Sequence, residues 1–297
     1  MSDPTVIDDN DYKTRDLPEG VRLIEGGVTA SPGFRAGAIS CGIKSADGTP
    51  DLALLVADTP CATAAMFTTS RTPAHTVITC KEHLGASGYR AQAVVVNSGN
   101  ANCSNGERGY HDAQRMTQLA AQKLGIEDPN AVLVSSTGII GRPLPMEKVE
   151  QGIAQITVSE SGGPDFARGI MTTDTRPKTI AVEFELGPGG KTVHLGGSTK
   201  GVGRIYPNMA TMLCYLTTDV AVEQPFLQQA LRSAVNDSFN MVCVDGDMST
   251  NDSVFIFANG RADNEPLRAG AEQSPEARAF VTALRYVTRY LAREQAR

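Results

Sequence analysis

The sequence has no tryptophan and no apolar run approaching the roughly 18 to 20 residues that a membrane helix needs. AQAVVVN, residues 91–97, is among the longest. A bilayer span is therefore not expected. The acidic, polar start MSDPTVIDDNDYKTRD lacks both the basic beginning and the apolar stretch of a secretory signal, which leads to the expectation of a cytoplasmic protein. Surplus positive charge is missing too. Against 33 Asp and Glu stand 27 Lys and Arg without a basic cluster, so nucleic acid is not an expected partner. The four histidines (His75, His83, His111, His194) are scattered. The six cysteines (Cys41, Cys61, Cys80, Cys103, Cys214, Cys243) form no C-x-x-C pair and have no His at zinc spacing. They read as buried free thiols, and no metal is expected. What is present, 297 residues with 41% hydrophobic and 20% charged, fits a folded chain of one large or two small domains.

Strand-like runs rich in Val, Ile, Thr and Tyr recur between turn residues: LALLVAD (52–58), AVVVNSG (93–99), AVLVSSTGII (131–140), TIAVEFEL (179–186), MLCYLTTDVAV (212–222), MVCVDGD (241–247) and SVFIFANG (253–260). Helical spacing places Ala113, Met116, Ala120, Ala121 and Leu124 on one face of 110–124, and Leu227, Leu231 and Val235 on one face of 225–239. Ser274 and Pro275 have the chemistry of an N-cap and first helical residue for a long helix carrying Phe280, Leu284, Val287 and Leu291. The mixture predicts sheets covered by helices. The chain stops inside that last helix, at LAREQAR, without a Gly cap or a Pro, which gives the expectation of a truncated sequence.

Gly, Ser, Thr and Asn crowd four segments at strand ends: VNSGNANCSNGERG (96–109), SSTGIIGRP (135–143), STKGVGRIYPNMATML (198–213) and VDGDMSTNDS (244–253). Each alone is a turn composition; together they can aim backbone N–H groups at one point. GPGGKT (187–192) is not a phosphate loop, because Glu185 stands where that motif needs Gly; a hairpin turn is expected instead. Thr211 has two readings. One is a buried strand residue. The other is a nucleophile whose own α-amino group serves as base, which requires cleavage of the chain after the small Ala210.

These segments resemble the ornithine acetyltransferase family, and the likeness runs from about Gly26 to the last residue. It is carried by GGVTASPGFRAGAISCGIK (26–44), VNSGNAN (96–102), STGIIG (136–141), MTTDT (171–175), KGVGRIYPNMATML (200–213) and DGDMSTND (245–252). The resemblance implies an α+β fold, a layered α-β-β-α sandwich of the self-cleaving type. It implies an α chain of residues 1–210 and a β chain of 211–297, cut between Ala210 and Thr211 and assembled as an α2β2 heterotetramer. The implied reaction is ping-pong acetyl transfer from N2-acetylornithine to L-glutamate through acyl-Thr211. No cofactor or metal is implied, and acetyl-CoA is left open as a further acetyl donor. Thr137, through its hydroxyl, and Gly138, through its N–H, are the implied oxyanion donors. Lys200 is the implied partner of a substrate carboxylate, and Thr173 with Thr172 the implied substrate contacts, the inward-facing one undecided.

Two departures from the family pattern stand out. Arg204 replaces a Met after KGxG, which bears on substrate preference. A DGEGATK-like motif and later polar ligands of the family are not in the sequence. The alternatives to the acetyltransferase reading are a related self-cleaving aminopeptidase or amidase, and an inactive truncated fragment.

Overall fold

The computed structural model describes residues 13–44, 48–201, 212–242 and 249–297. Its strands are β1 (Val21–Ile24), β2 (Phe34–Ile39), β3 (Leu52–Phe67), β4 (Arg90–Asn100), β5 (Val132–Ile139), β6 (Lys178–Glu185), β7 (Thr192–Lys200), β8 (Leu213–Thr218) and β9 (Ser253–Ala258). Its α-helices are α1 (His75–Ala86), α2 (Gly106–Leu124), α3 (Met146–Gln155), α4 (Gly163–Gly169), α5 (Gln224–Asn236) and α6 (Pro275–Gln295).

The strands are hydrogen-bonded in the order β1-β6-β7-β8-β9-β3-β4-β5, with β2 also on β3. Strand β3 joins two halves. Its first part pairs with β2 and β4, and its second part, Ala62–Phe67, pairs with β9. Register shifts between Val56 and Cys61. The exposed Asp58, Thr59 and Pro60 lie there, and Pro60 has no N–H to give a ladder.

Alternation along β8 and β9 shows how the halves stack. Leu213, Tyr215, Phe255 and Phe257 belong to the core formed with β2 to β5. Their neighbours Cys214, Leu216, Val254 and Ile256 belong to the core under α5 and α6. Two sheet layers therefore face each other, with α1, α2 and α3 on one outer side and α5 and α6 on the other. Between the layers, Phe166 of α4 meets Tyr215 edge-on, with ring centroids 5.1 Å apart. Helix α6 lies close on β7, where a Cβ on Gly197 would come within 2.9 Å of Leu291.

The layered α+β expectation matches this architecture. Helices α2, α5 and α6 bury the expected stripes except for Leu124, which is half-buried at the end of α2, and the Ser274 side chain accepts the Ala277 N–H as an N-cap. The GPGGKT hairpin joins antiparallel β6 and β7. Three expectations need correction. The run 52–58 is only the start of a 16-residue strand. The run 212–222 is a strand only to Thr218, because Asp219 turns its carboxylate back to the His194 N–H, 2.8 Å away. Met241 ends a 3-10 turn and is exposed, while 243–248 lie outside the described residues. Strands β1 and β2 and helices α1, α3 and α4 had not been expected. In α1 the β-branched Thr76, Val77, Ile78 and Thr79 argue locally against a helix, but Cys80 and Leu84 pack into the core beside β5.

Candidate active site

The ends of β5 and β7 meet the starts of β8 and β9 between the two layers. Lys200 closes β7 and pairs with Leu213, so residues 201–212 connect adjacent antiparallel strands. Ala210, Thr211 and Arg204 lie outside the described residues. The flanks are described, and a carboxylate holds each. Gly201 donates its N–H to Asp174 Oδ1 at 3.1 Å, and Met212 donates its N–H to Asp252 Oδ1 at 2.8 Å.

Thr137 is buried on β5, and Lys200 Nζ lies 3.1 Å from its Oγ1. Lys200 itself is 1% exposed, so it is not the solvated residue that lysine usually is. Burial lowers its pKa to about 8, while Asp174 and Asp252 act in the opposite direction. Asp174 is gripped by Lys178, whose Nζ is 2.5 Å from Oδ1. Burial would raise the Asp174 pKa, but Lys178, Lys200 and the Gly201 N–H together hold it below the ordinary value. Asp252 moves the other way: burial raises it to about 7, against the Met212 N–H, the Ser249 hydroxyl and Lys200.

Gly138 follows Thr137 with φ +132°, a conformation that side chains resist. A Cβ there would fall 2.3 Å from the Gly99 carbonyl carbon and 2.5 Å from Asn100 N. Glycine is thus required by the neighbouring β4 backbone, in addition to any need for acyl-group access. Of the adjacent threonines, Thr172 is half-buried and donates its N–H to Asp174 Oδ2 at 3.2 Å, whereas Thr173 is exposed.

Side-chain amides draw the small-residue segments together. Asn251 Nδ2 donates to the carbonyls of Ala101 (2.6 Å) and Ser136 (2.8 Å), tying the tail of DGDMSTND to both Gly-rich turns. Ser136 Oγ reaches Asn97 Oδ1 at 2.6 Å. Sequence reasoning had not singled out Asp174, Lys178, Asp252 or Asn251 as individual residues, although three of them sit inside the motifs named above. Lys44 is a fifth omission. It stands beside Gly99 and is depressed by burial, with Asp51 and Asp174 opposing.

Clefts of about 460 and 550 Å³ lie along α6, away from Thr137 and Lys200. Among the described residues no group of three or more His, Cys, Asp or Glu could hold a metal ion, and no helix is long and apolar enough to cross a membrane. The described thiols are unpaired. His194 pairs instead with Asp219, Nδ1 to Oδ2 at 2.7 Å, at the far end of β7.

The α-β-β-α architecture is that of a variant of the Ntn-hydrolase fold. A solved L-aminopeptidase D-Ala-esterase/amidase from Ochrobactrum anthropi, described as such a variant, aligns with TM-score 0.53 over 94% of this chain and 89% of its own, at 13% identity. Within that fold class the chain belongs to the ArgJ family, whose model matches residues 35–297. It is 45% identical over 276 residues to the arginine biosynthesis bifunctional protein ArgJ of Dehalococcoides mccartyi, covering 93% of this chain and 66% of that protein. Identity to the same-named protein of Symbiobacterium thermophilum is 48% over 277 residues, covering 92% and 67%. The chain thus spans about two thirds of the length of these relatives. The crystal structure of Bacillus halodurans ArgJ matches with TM-score 0.59 and 37% identity, over 64% of this chain and 98% of that one. The ornithine acetyltransferase of Mycobacterium tuberculosis, solved with ornithine, matches with TM-score 0.55 and 34% identity, over 63% and 98%.

Proposed function

We propose that the chain acts as an acetyltransferase of arginine biosynthesis, moving acetyl from N2-acetylornithine to L-glutamate after self-cleavage between Ala210 and Thr211. The observation that carries this reading is the placement of both described flanks of the 202–211 segment beside the buried Thr137–Lys200 pair. Family membership and the ornithine-bound relative support this choice of substrate class.

In this mechanism the Thr211 α-amino group takes the hydroxyl proton, and Oγ attacks the acetyl carbonyl carbon. The amide C–N bond breaks, and ornithine leaves with the proton. The glutamate amine then attacks the ester carbonyl, its proton passes back through the Thr211 amine, and Oγ is released. The oxyanion of each tetrahedral intermediate is received by the Thr137 hydroxyl and the Gly138 N–H, donors of a kind worth roughly 3 to 4 kcal/mol each. Thr172 and Thr173 stand on the substrate side, and Lys200 is a carboxylate partner by family likeness. Acetyl-CoA is compatible as a donor to the same acyl-threonine. We place the cleaved pieces in an α2β2 assembly in the cytoplasm.

A second reading, hydrolysis, follows from the fold shared with the aminopeptidase. Acetyl released into water in the presence of saturating glutamate would favour it. For the acetyltransferase, denaturing electrophoresis should show two pieces, the smaller beginning with Thr211. The Thr211→Ala chain should remain whole and transfer nothing. A cleaved or active Thr211→Ala protein contradicts the mechanism.

A further inference from the structure

We propose that the cleft between α6 and residues 13–18 is a binding site for a small diphosphate, held by guanidinium groups for which the chain itself supplies no counter-charge. None of the residues assigned to acetyl transfer takes part. The cleft encloses about 460 Å³, within the roughly 300 to 1,000 Å³ of small-molecule sites. Four arginines line it, Arg15, Arg285, Arg289 and Arg293, against one acid, Asp16. This local excess of positive charge lies in a chain whose acidic residues outnumber its basic ones by 33 to 27.

Arg285, Arg289 and Arg293 follow one another at intervals of four, so they form one exposed row on α6. Like charges at this spacing repel, and the helix gives Arg285 and Arg289 no acid three or four residues away to offset it. Two of the four arginines are engaged elsewhere. Arg293 Nη1 is 2.9 Å from Asp16 Oδ2, which occupies the single acid. Arg285 Nη2 donates to Ser233 Oγ at 3.0 Å, and its Nε stands 3.6 Å from Asp237 Oδ2 at the end of α5. Arg15 and Arg289 differ: among the described residues neither side chain has an ion pair or a hydrogen bond. A merely solvated basic face needs no second wall, and here the second wall is fixed. The Tyr286 hydroxyl donates to the Lys13 carbonyl, and Leu17 packs on the core under α5 and α6. Asp16, at φ +63°, makes a left-handed turn of the kind Asp tolerates and reaches Arg293 from it. Guanidinium groups meet phosphate oxygens in bidentate pairs. Two unengaged ones, on different walls, suit two linked phosphate groups, and Tyr286 and Tyr290 leave ring surface beside them for an organic body. Bound there, a diphosphate ties residues 13–18 to α6, whether it is inorganic or belongs to a nucleotide.

Isothermal titration calorimetry of the 297-residue chain tests this with pyrophosphate, ADP and orthophosphate. At about 0.15 M salt the screening length is about 8 Å, so only close contacts persist. One pyrophosphate should bind per chain. Arg15→Gln or Arg289→Gln should weaken it at least about tenfold, as loss of charge-assisted hydrogen bonds does. Arg278→Gln, on the same helix but outside the cleft, should weaken it less than about twofold, because its charge is screened. ADP bound more tightly than pyrophosphate supports the site with a nucleotide body along the tyrosine rings; ADP bound equally or less tightly supports it with inorganic diphosphate. Three results would overturn it: no saturable binding of either diphosphate, orthophosphate bound as tightly as pyrophosphate, or equal losses from Arg278→Gln and Arg289→Gln. Thermal unfolding gives a second readout. Without ligand, Arg289→Gln should melt at or above the wild-type Tm, since only repulsion is removed. Saturating pyrophosphate should raise the Tm of the wild type and leave that of Arg289→Gln unmoved. A ligand-free Tm lowered by more than about 2 °C would show that this guanidinium serves the fold, and would overturn its assignment to a ligand.

Discussion

Gly138 shows how one missing atom shapes the scaffold beside the proposed chemistry. The Cβ of an alanine at φ +132° would press on the Gly99 and Asn100 backbone, which has no flexible end to swing aside. Gly138→Ala should therefore destabilise the fold by on the order of 3 kcal/mol, from backbone strain and overpacking together. Urea denaturation would measure it, and a stability equal to wild type would show that β4 and β5 can separate at no cost. At this scale Thr137, Gly138 and Lys200 were legible only through the family resemblance of the motifs that hold them, since composition alone marks those motifs as turns. Asp174 and Asp252 were not. Their importance comes from meeting the two flanks of 202–211 in space, and no spacing along the chain encodes that meeting.

Elements differ in how much of their cause lies within themselves. Helix α6 carries its own start signal, and the Ser274 hydroxyl accepts the Ala277 N–H at 3.1 Å. Ser274→Ala should cost about 1 kcal/mol, seen as a Tm lower by about 2 °C, with the proposed transfer activity intact. No change in Tm would mean that packing against β6 and β7 alone fixes the helix start. The periodic faces of α2, α5 and α6 were readable for the same reason. Helix α1 was hidden because its β-branched run favours a strand until β5 supplies something to pack on. The full length of β3 was hidden by Pro60, which looks like an end and is instead the irregularity at which one strand passes from one layer to the other.

The whole molecule depends on contacts between its layers as much as within them. Phe166, fully buried on a seven-residue helix, fills the space against Tyr215, which in turn stacks on Phe255 at 6.0 Å. Phe166→Ala should cost roughly 3 to 5 kcal/mol. Because β3 belongs to both halves, the loss should appear as one cooperative transition at lower denaturant. Two separate transitions would show that the halves unfold independently. Sheets covered by helices were predictable from mixed strands and helices and their four-layer order from the family resemblance, but the single continuous sheet was not, since pairing of β3 with β9 joins segments far apart in sequence.

The β7–β8 ladder, with Lys200 opposite Leu213, gives a nick between residues 201 and 212 an unusual outcome. The two polypeptides would share a seam running through the hydrophobic interior, since β3 on one side of the nick also holds β9 on the other. Parting them would mean dissolving the protein's own core, so such a nick would create two new chain ends without creating a separable subunit.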